Sequence, residues 1–168
     1  MRIALDIIAI LICAVIVMAF VLYQILDKNR YLATEYLRKL DNDISEWLTY
    51  AGGLFKCGKT DEVAEQKYRR LVDQVNSVKK SRRVEKVPVL REACELFRTI
   101  TYENYDNDEI ERLSLHLTEM AGDMASIISR YNYYVYRTNR LLEKRIFKYV
   151  AKVFRVRKMP ILIDLTVR

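Results

Sequence analysis

Ile7 to Tyr23 reads IIAILICAVIVMAFVLY, with no charged or strongly polar side chain. With Gln24, Ile25 and Leu26 the run reaches about 20 residues, and at ~1.5 Å of rise per residue such a helix spans the ~30 Å hydrocarbon core of a bilayer. A cleaved signal peptide has a shorter apolar centre followed by small residues. Here Phe20, Val21, Leu22 and Tyr23 close the run, and Ile12 before Cys13 suits a lipoprotein site poorly. A helix from a soluble core would carry a polar stripe, and none is visible. The expectation is a retained transmembrane anchor over residues 1–27. Arg2 precedes it, whereas Lys28, Arg30, Arg38 and Lys39 follow closely. Basic residues collect on the cytoplasmic side, so the long C-terminal part is expected there, in a single-pass protein of the cell membrane.

The rest of the chain reads as helical. Four Gly and two Pro in 168 residues leave little turn chemistry for a β or βαβ fold. Leu37, Leu40, Ile44, Trp47, Ala51 and Leu54 recur three and four apart, one apolar stripe on a helix that continues from the anchor. Gly52-Gly53 weakens that helix and Cys57-Gly58-Lys59 ends it. Thr60 or Asp61 can cap a second helix, whose stripe is Tyr68, Leu71, Val75 and Val78 and whose end carries the basic run Lys79–Arg83. Pro88 opens a third, with Leu90, Ala93, Phe97 and Ile100 on its face.

After a polar break at Asn104 to Asp108, the last helix carries Leu113, Leu117, Met120, Met124, Ile127, Tyr131, Tyr134, Thr138 and Leu141. A second seam, Ile128, Asn132, Val135, Asn139, Leu142 and Ile146, runs beside it. This face is wide for a two-stranded coiled coil and suits a globular bundle. The helix is expected to run on to about Lys158. The fold class expected is all-α, an N-terminal transmembrane helix followed by an antiparallel, up-down four-helix bundle with a long last helix. The bundle occupies residues 28–142 and a basic amphipathic segment occupies residues 143–168. Up-down connection would bring that segment back to the bilayer.

The net charge of +7 calls for an anionic partner. Lys144, Arg145, Lys148, Lys152, Arg155, Arg157 and Lys158 form a cationic run that no acid interrupts, with Ile146, Phe147, Val150, Val153 and Phe154 roughly opposite. Basic amphipathic helices of this kind lie on anionic membrane surfaces. The same pattern fits a core helix with a solvated basic face, and, through Tyr149 and Phe154, a nucleic-acid surface. The apolar tail after Pro160 is too short to span a bilayer and would dock on the bundle or rest in the interface.

Catalytic chemistry finds little support. Gly53 to Thr60 matches GxxxxGK[ST], but that phosphate loop needs a preceding strand, and the residues before it carry a helical stripe. Cys13, Cys57 and Cys94 are scattered and His116 is the one histidine, so no zinc set forms by spacing. Asp41/Asp43 and Asp106/Asp108 read as solvated faces and helix caps. No enzyme activity, cofactor or metal is expected.

Arg130 to Asn139, RYNYYVYRTN, resembles the YNxxVxxYN signature of the LemA family, with Thr138 where the signature has its second Tyr. The chain order of membrane helix then helical domain is also similar. The resemblance implies a membrane-associated bacterial protein with an antiparallel helical bundle and no established enzymatic activity. From the spacing alone, Asn132 and Asn139 lie one heptad apart on one helix face, where paired Asn side chains fix register. Tyr131, Asn132, Val135 and Asn139 are therefore expected to act in packing and registry, or alternatively to line a groove. The function expected is a membrane-anchored, non-enzymatic adaptor or scaffold that contacts anionic lipid or a protein partner. Self-association is compatible with it, and a membrane-tethered nucleic-acid-binding module is the alternative.

Overall fold

The apolar run and the first amphipathic stripe form one helix. α1 covers Arg2–Cys57 without a break, as a stretch free of Pro, and of Gly before Gly52, allows. The computed structural model describes residues 2–57, 62–103 and 108–162. After α1 come α2 (Glu62–Ser77), a 3-10 turn (Lys80–Glu85), α3 (Lys86–Glu103), α4 (Asp108–Glu143) and α5 (Arg145–Val153). Among the described residues there is no strand. α1 is long and apolar enough to cross a membrane, and Ile8, Leu11, Val15 and Phe20 stay more than half exposed along it.

The described residues of Met1–Ala33 and Asn132–Ile161 form one compact unit, and those of Thr34–Tyr131 and Leu162–Arg168 form another. In the second unit most described members of the expected stripes are buried, while Leu37, Tyr68, Val78, Leu113 and Met120 are half-buried. Leu40, Ile44, Trp47 and Ala51 of α1, Leu71 and Val75 of α2, and Leu90, Ala93, Phe97 and Ile100 of α3 face inward with Leu117, Met124 and Ile127 of α4. Trp47 anchors this core. It is 1% exposed, its Nε1 donates to the Leu117 carbonyl at 3.0 Å, and its ring meets Phe97 edge-on at 5.8 Å. Tyr50 meets His116 edge-on at 4.9 Å, and Gly53 lies against Leu113. Residue number rises along α1 as it falls along α4, so these two helices pack antiparallel.

Gly52 has a use beyond weakening the helix. A Cβ there would sit 3.3 Å from the Tyr68 hydroxyl. Its absence lets that hydroxyl donate to the Leu48 carbonyl and tie α2 to α1. Burial pushes the Tyr68 hydroxyl up to about 12.

Three sequence expectations need correction. The basic run Lys79–Arg83 does not finish α2, which ends at Ser77. It enters the 3-10 turn, and Arg83 from that turn reaches α1. Asp41, expected on a solvated face, receives Arg83 Nε at 2.9 Å and Lys86 Nζ at 2.5 Å with its side chain only 15% exposed.

The third correction concerns the last helix, which does not run on to Lys158. Lys144 adopts an extended conformation (φ −72, ψ 137) between α4 and α5. Extended without a break, the seam through Leu142 and Ile146 would go on to Tyr149 and Val153. The break turns Ile146, Tyr149 and Val153 outward, and Phe147, Val150 and Ala151 face inward instead. A helix of nine residues is too short to persist alone, since isolated helices need about 12–15. α5 forms because burying Phe147 and Val150 stabilises it, each large apolar side chain contributing about 2 kcal/mol.

Candidate functional site

The cationic residues of the C-terminal segment gather on the unit that contains the apolar helix. Phe147, Val150, Ala151 and Val156 pack in one cluster with Leu142 of α4 and Leu26 of α1, flanked by Ala19, Leu22, Tyr23 and Leu141. Phe154 stacks on Tyr23, with ring centroids 4.3 Å apart and planes 21° from parallel. The basic segment therefore sits on the last turns of the long apolar run.

Its end is shaped by local backbone chemistry. Arg155 adopts the left-handed conformation (φ 52), and the Val156 N–H returns to the Ala151 carbonyl at 2.9 Å. This bond closes a helix C-terminus, with the buried Val156 supplying the apolar contact that accompanies such a cap. The chain then reaches Met159, which Asn139 holds from α4. Asn139 Nδ2 donates to the Met159 carbonyl at 2.9 Å, and the Met159 N–H donates to Asn139 Oδ1 at 3.0 Å. Lys158 Nζ lies 3.0 Å from Glu143. The Lys158 hydrogen bond and charge hold the Glu143 carboxyl below its ordinary range.

All seven cations singled out from the sequence are exposed. Apart from Lys158, none of them is ion-paired with a described residue. At about 3.6 residues per turn, α5 sorts into three sectors. Phe147, Val150 and Ala151 face inward, Arg145, Lys148 and Lys152 form a basic sector, and Ile146, Tyr149 and Val153 form an exposed apolar one. Of the apolar residues expected opposite the cations, only some are therefore buried. Ile146 is 62% exposed and Val153 75%.

The ten-residue motif in α4 has a mixed environment. Tyr131 and Val135 are fully buried, and burial raises the Tyr131 hydroxyl above its ordinary value. Asn132 and Asn139 are half-buried. Thr138, in place of the signature's second Tyr, is buried and donates to the Tyr134 carbonyl at 2.9 Å. On the outer side of the same helix, Tyr133, Tyr136, Arg137, Arg140, Leu141 and Lys144 line an open groove of about 450 Å³. Arg137 and Arg140 extend the basic surface beyond the run read from the sequence. Their spacing of seven and four residues from Lys144 was the available signal.

No family model, curated protein or solved structure matches the chain.

Elsewhere the geometry offers little chemistry. Among the described residues no group of three or more His, Cys, Asp or Glu side chains is placed to hold a metal ion. Gly53 and Phe55 of the phosphate-loop match lie within α1, while Gly58, Lys59 and Thr60 fall outside the described residues, as do Asp61, the Asn104 to Asn107 break with Asp106, and the apolar tail from Ile163. Cys94 is buried, and burial pushes its thiol up to about 11, away from the thiolate that reactivity needs. A cavity of about 220 Å³ beside it is lined by Trp47, Phe97, Leu117 and small residues of α4.

Proposed function

We propose that this chain is a single-pass membrane protein of LemA-like type. In this reading α1 anchors it in the cell membrane, and an up-down four-helix bundle on the cytoplasmic side acts as a non-catalytic adaptor for lipid or protein partners. One observation carries the reading. The basic C-terminal segment packs on the turns where the apolar run ends, which gathers its exposed cations where a membrane helix leaves the bilayer. Anionic headgroups at that level complement these charges, at roughly 1 kcal/mol per basic residue near the surface. The resemblance of Arg130 to Asn139 to the family signature supports the same class.

Alkaline carbonate washing and protease treatment of oriented vesicles test the anchor and its direction. The reading requires that the chain stay in the membrane pellet, and that the lysines and arginines after Tyr23 be cut in inverted vesicles and protected in right-side-out ones. Release by carbonate overturns the anchor, and the opposite cleavage pattern overturns the cytoplasmic placement.

A nucleic-acid-binding module is the second reading, favoured by Tyr149, which is 75% exposed beside Lys148 and Lys152. Salt-sensitive binding of the reconstituted protein to oligonucleotides, with no response to anionic lipid, would support it over the first.

A further inference from the structure

We propose that α5 is an in-plane membrane-interface helix, with Ile146, Tyr149 and Val153 entering the acyl boundary of an anionic leaflet while Arg145, Lys148 and Lys152 lie against its headgroup phosphates. The proposal rests on reading α1 as a membrane anchor, and goes further by assigning a lipid contact to particular side chains.

Three observations meet in it. First, the exposed apolar sector is coherent. Ile146, Tyr149 and Val153 are 62%, 75% and 75% exposed and recur three and four residues apart on one side of a nine-residue helix. Such a stripe is unfavourable in water and calls for an occupant. Second, that stripe does not stand alone. α5 is clamped to α1 through Tyr23–Phe154 and the Leu26 cluster. On these same turns α1 exposes Phe20, Val21 and Ile25. In the anchor reading, the lipid that surrounds these α1 side chains lies at the level of α5. Third, the charge on the neighbouring sector is of one sign. Arg145, Lys148 and Lys152 are exposed with no described ion-pair partner, and a basic sector beside an apolar one is the composition of helices that lie in an anionic interface.

The three sectors also suit the proposed placement. A helix lying flat beside a spanning helix meets protein on one side, acyl chain on another and headgroups on a third. An ordinary surface helix has two kinds of face, and the third sector of α5 has no role in water. A protein partner would match the apolar stripe but leave the uniform cationic sector without a purpose.

Two single-tryptophan additions test the proposal in the full chain, reconstituted in vesicles of phosphatidylcholine with increasing phosphatidylglycerol. Phe20→Trp reports on the anchor and Tyr149→Trp on α5, each measured against the wild-type signal of Trp47. Quenching by lipids brominated near the headgroup end of the acyl chain is read for both. The expected result is that Phe20→Trp is quenched in all vesicles, and that Tyr149→Trp is quenched with an extent that grows with the anionic fraction. Adding Ile146→Glu and Val153→Glu should abolish quenching at position 149 and leave that at position 20 intact, with helix content unchanged by circular dichroism. Quenching at position 20 without any at position 149 overturns the interfacial helix and leaves the anchor standing. Loss of quenching at both positions overturns the anchor and the proposal with it. A Tyr149→Trp emission that is unquenched in pure vesicles but shielded in native membranes assigns the stripe to a protein partner, and also overturns the proposal.

Discussion

Asn139 satisfies both backbone groups of Met159, twenty residues further along the chain. Its Oδ1 accepts the Met159 N–H and its Nδ2 donates to the Met159 carbonyl. A side-chain amide is suited to this, since it offers a donor and an acceptor side by side. The second Asn of the Arg130–Asn139 motif thereby ties the segment after α5 to α4.

Replacing Asn139 with Ala removes both bonds. The expected cost is about 1–3 kcal/mol, together with faster amide exchange at Met159. Asn139→Asp keeps the acceptor but sets a carboxylate against the Met159 carbonyl, so it should be no better than Ala above the pH at which the acid ionises. Hydrogen exchange followed by mass spectrometry, on protein held in detergent or nanodiscs, reads both effects. Unchanged protection at Met159 in Asn139→Ala would sink this assignment.

Arg155 holds a backbone conformation that costs a residue with a Cβ about 1 kcal/mol. Arg155→Gly should therefore raise stability by roughly 0.5–1 kcal/mol, and Arg155→Val should lower it by at least as much. Chemical denaturation of the two variants gives the order directly. Equal stabilities would show that the turn after α5 does not keep this conformation.

Asp41 links α1 to the 3-10 turn and to the start of α3. Burial pushes its carboxyl up, but hydrogen bonds from Lys86 and Arg83, aided by their charges, outweigh it and leave the carboxyl below its ordinary 3.8. A group depressed in the folded state stabilises it fully above the unfolded value and loses that contribution as pH falls through the folded one. Asp41→Asn leaves Lys86, 9% exposed, without its counter-charge, at a cost of about 2 kcal/mol. The gap between wild type and Asp41→Asn should be constant above about pH 5 and close below pH 4. Urea titrations across that range check the sign, and a gap that widens in acid would refute the ion-pair account.

Trp47 is the chain's one tryptophan. It is buried beside Phe97 and bonded to the Leu117 carbonyl, so its emission should be blue-shifted in the native state and move red on unfolding. Trp47→Phe retains most of the apolar volume and removes one hydrogen bond to the Leu117 carbonyl, which keeps its partner within α4, at a cost of about 0.5–1.5 kcal/mol. Trp47→Ala empties the site and should cost about 3–5 kcal/mol. Thermal melts followed by circular dichroism would separate the two.

Much of the helical framework was legible because periodicity survives in any one stretch. The stripes Leu40–Ala51, Leu90–Ile100 and Leu117–Tyr131 are local patterns, and the apolar run announces itself by length alone. What could not be read depends on partners far along the chain. Asp41 looked solvated because Arg83 and Lys86 are more than forty residues away. The break at Lys144 lies among Leu142, Glu143 and Arg145, all good helix formers with no Gly or Pro between them. What the break achieves is the packing of Phe147 and Val150 in one cluster with Leu26, and that is a tertiary effect. The candidate site was legible in its charges and illegible in its apolar stripe, which the break creates.

The turn at Lys144 also sets how this stretch tolerates change. An ordinary surface helix has an idle side, where mutations accumulate without effect. α5 packs with one side, carries charge on a second and shows a greasy third, so none of its nine residues is spare. A saturation scan should find intolerance spread around its whole circumference, with hydrophobic, basic and small preferences rotating from one position to the next.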